Sequence, residues 1–174
     1  MKNPQQPTDT QPATGDRTEP SAGNPRPDAA PPGDVNDGID PPPGTKVLLI
    51  EDDPTIRMLL QMGLRRHQYD CVAAENGRAA QALLKSHRPD MIVVDLMMPV
   101  MDGLAFIQWL RHTVRDDATP VLVFTTVQDP KVMHEVLRTG ADLFCGKPMH
   151  LKELVAQLRK LNALPRRKAR APAA

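Results

Sequence analysis

Between residues 45 and 164 the chain alternates short apolar runs with longer segments in which apolar residues recur every three or four positions. The short runs read as buried strands and the longer segments as amphipathic helices, an alternation that marks a parallel α/β sheet. KVLLI predicts a strand over 46–50, and Pro54 then stands where the first turn of a helix tolerates it. That helix gathers Ile56, Leu59, Leu60, Gly63 and Leu64 on one face, its expected core side.

Four more strand–helix units follow. A strand over 71–74 precedes a helix over 77–86 whose apolar side is Ala79, Ala80, Leu83 and Leu84. MIVVD is apolar until it ends on Asp95, as expected of a central strand covered on both faces. The turn-rich MMPVMDG leads into LAFIQWLRHTV, one helix with Phe106, Trp109 and Leu110 as core residues. PVLVFTT gives a fourth strand, followed by a helix over 130–138 that Gly140 is placed to cap. ADLFCGKP gives a short fifth strand, and HLKELVAQLRKL closes with a helix burying Leu151, Leu154, Val155 and Leu158. With right-handed crossovers, five such units predict an α/β fold: a doubly wound open parallel sheet with helices on both faces.

The flanks differ. Residues 1–44 are crowded with Pro, Gly, Asp, Thr and Gln, and beyond Met1 their only larger aliphatic residues are Val35 and Ile39. Such a segment buries too little apolar area to offset its ordering entropy, so a disordered tether is expected, with no clean PxxP docking repeat. Residues 165–174 form a short basic tail, read as a solvated end. The domain expected between the tails spans residues 45–164.

The net charge of +1 does not call for nucleic acid, a membrane surface or an acidic substrate. No apolar run approaches the roughly 18 residues of a membrane span and no secretory signal opens the chain, so a cytoplasmic location is expected. Cys71 and Cys145 lack the spacing of a zinc site and read as free buried thiols.

In an open α/β sheet, ligands bind beyond the carboxyl ends of the strands. The residues there are Glu51, Asp52 and Asp53 after the first strand, Asp95 after the third, Thr125 and Thr126 after the fourth, and Lys147 after the fifth. Crowded carboxylates repel unless a cation balances them, and an all-oxygen donor set with room for waters and a phosphate suits Mg²⁺. Mg²⁺ and the Lys147 ammonium would together neutralise Glu51, Asp52 and Asp95, leaving a site able to accept a phosphoryl group. Taken singly, each residue has an ordinary reading, and Asp53, Asp90, Asp102 and Asp129 are expected to be turn or helix-cap residues.

The set VLLIEDDP, IVVDLMMPVMDG, VFTT and CGKP resembles the receiver domain of bacterial two-component response regulators, over residues 45–164. The resemblance implies strand order 2-1-3-4-5, Asp95 as phosphate acceptor from a sensor histidine kinase or histidine phosphotransfer protein, and a switch in binding to a downstream target. It implies Mg²⁺ held by Asp52, Asp95 and the Met97 carbonyl, with Glu51 acting through water. Thr125 would be the switch hydroxyl, Lys147 would pair with the phosphoryl group, and the Lys147–Pro148 bond would be cis. The protein would not be an enzyme, catalysing only its own phosphorylation and dephosphorylation. Phe144 departs from the pattern: the family often has a tyrosine there, so no hydroxyl is available to couple the switch to the output face.

Three rivals are weaker. A phosphatase with an aspartyl nucleophile would be expected to carry a second acid two places later, where this chain has Met97, and no GxGxxG follows the first strand as in a dinucleotide site. A degenerate receiver acting as an unphosphorylated binding scaffold would not need the full set of site residues. Only residues 165–174 follow the last helix, so a stand-alone receiver without direct DNA binding is expected.

Overall fold

The structure, a computed structural model, describes residues 41–166. Of the tether expected over residues 1–44 and the basic tail expected over 165–174, residues 1–40 and 167–174 lie outside the described residues. Five strands, β1 (Lys46–Ile50), β2 (Asp70–Ala74), β3 (Met91–Val94), β4 (Val121–Thr125) and β5 (Leu143–Gly146), form one sheet in the order β2-β1-β3-β4-β5. All four pairings are parallel, so every strand ends at the same rim. The helices are α1 (Pro54–Arg66), α2 (Gly77–Leu83), α3 (Gly103–Gln108), α4 (Pro130–Thr139) and α5 (Leu151–Ala163).

Successive strand residues point to opposite faces, so each strand feeds two cores. Leu48, Ile50, Ile92, Val94, Val121 and Val123 pack with Ala80 of α2, Phe106 and Ile107 of α3, Leu110 just beyond it and Val136 of α4. Val47, Leu49, Met91, Val93, Leu122 and Phe124 pack with Leu64 of α1 and Leu154, Val155, Leu158 and Leu161 of α5. At about 1.5–3 kcal/mol for each large apolar side chain removed from water, the unbroken apolarity of the central strands is what this layering rewards. Cys71 and Cys145, on opposite edge strands, are free and buried.

Four boundaries or faces differ from expectation. Residues 41–44 belong to the fold: the Gly44 N–H donates to Gln68 O at 2.8 Å, and Thr45 bonds Pro42 O through both its N–H and its hydroxyl, closing a turn in which Gly44 takes φ +83°. α2 stops at Leu83 and gives way to turns.

α1 is rotated from its expected face, with Leu64 buried but Ile56 37% and Leu59 60% exposed. Polar side chains claim the inward edge instead. Arg57 reaches the carbonyls of Glu51 and Asp52, and Gln61 and Arg65 both donate to Cys71 O at 3.0 Å.

The helix expected to run unbroken to Val114 changes at Trp109–Thr113 into a π-helical turn, which adds a residue to the turn. The regular period from Ile107 would place Leu110, Arg111 and Val114 on the buried face; past the wider turn Leu110 and Arg111 are buried but Val114 is 43% exposed. Arg111 then clips this end of the fold together, donating to Gly140 O at 3.0 Å and to Asp116 O, and pairing with Asp142 at 3.2 Å. Gly140, at φ +125°, lies so close that a Cβ there would stand 2.7 Å from Arg111 Cγ.

Arg111→Ala removes the guanidinium facing a largely buried carboxylate and is expected to cost about 3–5 kcal/mol in urea unfolding. A loss below about 1 kcal/mol would show that the clip adds only what an exposed pair adds.

Candidate functional site

The acidic residues at the rim come together as the strand ends dictate. Glu51 and Asp52 leave β1, Asp95 leaves the neighbouring β3, and carboxylate oxygens of the three lie within 4.8 Å of one another. Glu51 and Asp95 are buried, and Asp52 is the most open. Lys147, one residue beyond β5, crosses to them: its Nζ lies 2.6 Å from Glu51 Oε2 and 2.5 Å from Asp95 Oδ2. Its main chain is anchored by the Lys147 N–H donating to Thr125 O at 2.7 Å, and the Lys147–Pro148 bond is cis. The ammonium also stands 5.3 Å from the centre of the Phe124 ring, in cation–π range.

These contacts displace proton equilibria. Burial raises the pKa of Glu51, and the hydrogen bond and charge of Lys147 pull it back only in part, with Asp95 and Asp52 pushing the same way as burial. Burial acts to lower the pKa of Lys147, but its bonds to Asp95 and Glu51 and their charges outweigh burial and leave it raised. Both groups therefore hold their protons more firmly than in water, and Lys147 stays an ammonium across the neutral range.

Thr125 ends β4 fully buried, its Oγ1 accepting from the Val127 N–H at 3.3 Å. The Met97 N–H donates to Asp95 Oδ1 at 3.2 Å while the Met97 side chain is 64% exposed. Phe144 on β5 is half-buried against the α2–α3–α4 core. Asp53, Asp102 and Asp129 cap α1, α3 and α4 as expected. Asp90 instead accepts from the Lys46 N–H at 2.8 Å, tying the start of β3 to β1.

Several features were not singled out from the sequence. Gly103 opens α3 against the acceptor's own main chain: a Cβ there would collide with the Asp95 carbonyl oxygen and stand 3.0 Å from Asp95 C and Leu96 Cα. The Asp-Gly pair before an apolar helical run is the signal that could have found it. Val100, in the loop from β3 to α3, takes φ +69°, a conformation disfavoured for a β-branched residue, inside a turn closed by the Met101 N–H and Pro99 O at 2.7 Å. The Gly77 N–H braces that loop through Met101 O at 3.0 Å. Arg57 bonds the main chain of the acidic pair. α1, which starts at the rim, exposes Ile56, Met58, Leu59 and Met62 along its length.

Chemically the site offers oxygen donors only, with one fixed cation among three carboxylates. That donor set fits a hard divalent ion that keeps part of its water shell, as Mg²⁺ does. Among the described residues no helix is long and apolar enough to cross a membrane.

Known proteins share the sequence pattern and the fold. The sequence model of the response regulator receiver domain matches residues 47–159. Response regulator MprA of Mycolicibacterium vanbaalenii is 38% identical over 116 residues, 67% of this chain and 49% of that protein. The DNA-binding dual master transcriptional regulator RpaA of Synechocystis sp. is 36% identical over 129 residues, 74% of this chain and 52% of that protein. The chain thus spans about half the length of these curated relatives. The structure of chemotaxis protein CheY4 of Vibrio cholerae superimposes with a TM-score of 0.65 at 31% identity, covering 68% of this chain and 98% of that one.

Gly103→Ala sets a methyl against main chain that cannot rotate away, so a loss of about 1–3 kcal/mol is expected in chemical denaturation. An unchanged midpoint would mean that the Asp95 loop yields freely.

Proposed function

The chain belongs to the response regulator receiver domain family of two-component signalling, and we propose that it relays a signal by accepting a phosphoryl group on Asp95 in a Mg²⁺-dependent reaction. The observation that carries this reading is the Lys147 ammonium set between Glu51 and Asp95 inside a cluster of three carboxylates. An Asp95 oxygen attacks the phosphorus of a phosphohistidine on a sensor kinase or phosphotransfer protein. The P–O bond forms as the P–N bond breaks, and the imidazole leaves with the electron pair. The exposed apolar residues of α1 give such a donor a surface beside the acceptor.

Asp52, Asp95 and the Met97 carbonyl would hold Mg²⁺ directly and Glu51 through water. Bound there, the ion supplies positive charge against the equatorial oxygens of the transferring group. Lys147 gives up its bond to the Asp95 carboxylate and pairs with a phosphoryl oxygen, and the Thr125 hydroxyl donates to another. Phe144 packs inward without a hydroxyl, so switching reaches the output face through ring packing alone. The protein turns over no substrate other than its own aspartyl phosphate. It works in the cytoplasm, and its signal leaves through a regulated contact with a target protein.

Incubating the purified chain with Mg²⁺ and a small acyl phosphate tests the proposal. The expected product carries one alkali-labile phosphoryl group on the peptide containing Asp95, and none forms with Asp95→Asn or with a chelator. No addition would favour the unphosphorylated scaffold; addition elsewhere would overturn the site assignment.

A further inference from the structure

The turn from β1 to α1 is three residues long, and two of them, Glu51 and Asp52, belong to the acid cluster. Its main chain is held from three directions. The Glu51 N–H donates to Ala74 O at 3.1 Å, and the Asp53 carboxylate accepts from the N–H groups of Thr55 and Ile56 at 2.8 and 2.9 Å. The third hold is Arg57, whose Nη1 donates to Glu51 O at 2.6 Å and to Asp52 O at 2.9 Å. Lys147 fixes the Glu51 side chain, but among the described residues no hydrogen bond holds the Asp52 carboxylate. The direction in which Asp52 points therefore depends on its backbone.

We propose that Arg57 is a positioning residue which, by clamping the carbonyls of Glu51 and Asp52, sets the affinity of the acid cluster for Mg²⁺ and its preference over Ca²⁺. The inference rests on the Mg²⁺ reading of the site. Arg57 has two opposed effects. Its charge repels a cation bound beside it, whereas its two hydrogen bonds hold a ligand loop in place. Removing it would tighten binding if charge dominated and weaken binding if positioning dominated, so the sign separates them. Selectivity is a second signature. Mg²⁺ demands near-ideal octahedral geometry with short bonds, while Ca²⁺ accepts longer and more variable coordination. A loosened Asp52 penalises Mg²⁺ more than Ca²⁺, whereas loss of a charge or a general loss of order moves both ions alike.

Calorimetric titration of the full chain with MgCl₂ and with CaCl₂ gives the test. Arg57→Gln is expected to weaken Mg²⁺ binding by about 10- to 100-fold, as loss of a residue supporting a metal ligand does, and Ca²⁺ binding distinctly less. Arg57→Lys, which keeps the charge but lacks the planar fork, is expected to weaken Mg²⁺ by a smaller factor, and it decides the matter if the Gln variant does not fold. Mg²⁺ binding by either variant as tight as in the unaltered chain, or equal weakening of both ions, overturns the inference. Absence of Mg²⁺ binding by the unaltered chain overturns the metal reading itself, and the inference with it.

Discussion

The bridge from Lys147 to Glu51 and Asp95 is the interaction on which the rim depends. Three carboxylates gathered within 4.8 Å on a largely buried edge would repel one another and resist losing water. A fixed ammonium answers both problems while leaving the cluster short of neutrality by two charges. That residual charge of −2 is what a divalent cation would balance, and in the proposed reaction a phosphoryl oxygen would replace the Asp95 carboxylate as one partner of Lys147.

Topology makes the bridge attainable. Parallel strands all end at one rim, and the order β2-β1-β3-β4-β5 puts the acids of β1 and β3 side by side with β5 two strands further along. A long side chain spans that remaining gap, and its main chain is moored to the intervening β4 through Thr125 O. The loops then need only local devices: a helix cap at Asp53, a glycine at 103 against the Asp95 carbonyl, and an arginine at 57 on the acidic turn.

Most of this was legible in the residues. MIVVD and VLVFTT announce buried strands because apolar runs long enough for a strand and too short for a helix leave little choice. The acids, Thr125 and Lys147 declare themselves by falling at successive strand ends. What was not legible depended on contacts between distant segments. The apolar positions of α1 fit a helical period, but Arg57 and Gln61 are half-buried and, with the exposed Arg65, bond carbonyls that no periodicity reveals. The π turn at Trp109–Thr113 escaped for the same reason, since Arg111 goes inward to meet Gly140 and Asp142 from another part of the chain. Gly103 looked like any turn residue until the Asp95 carbonyl was seen against it.

Charge balance is the central claim, and it is tested most directly by the unfolding free energy of Lys147→Gln against the unaltered chain, each measured in urea with and without Mg²⁺. Without the ion, removing one member of a buried ion cluster is expected to cost about 3–5 kcal/mol. Saturating Mg²⁺ should recover part of that loss, because a cation bound only to the folded form stabilises it and here also takes over the neutralising role of the ammonium. Equal stability of the two chains without Mg²⁺, or a loss that Mg²⁺ leaves untouched, would contradict the account.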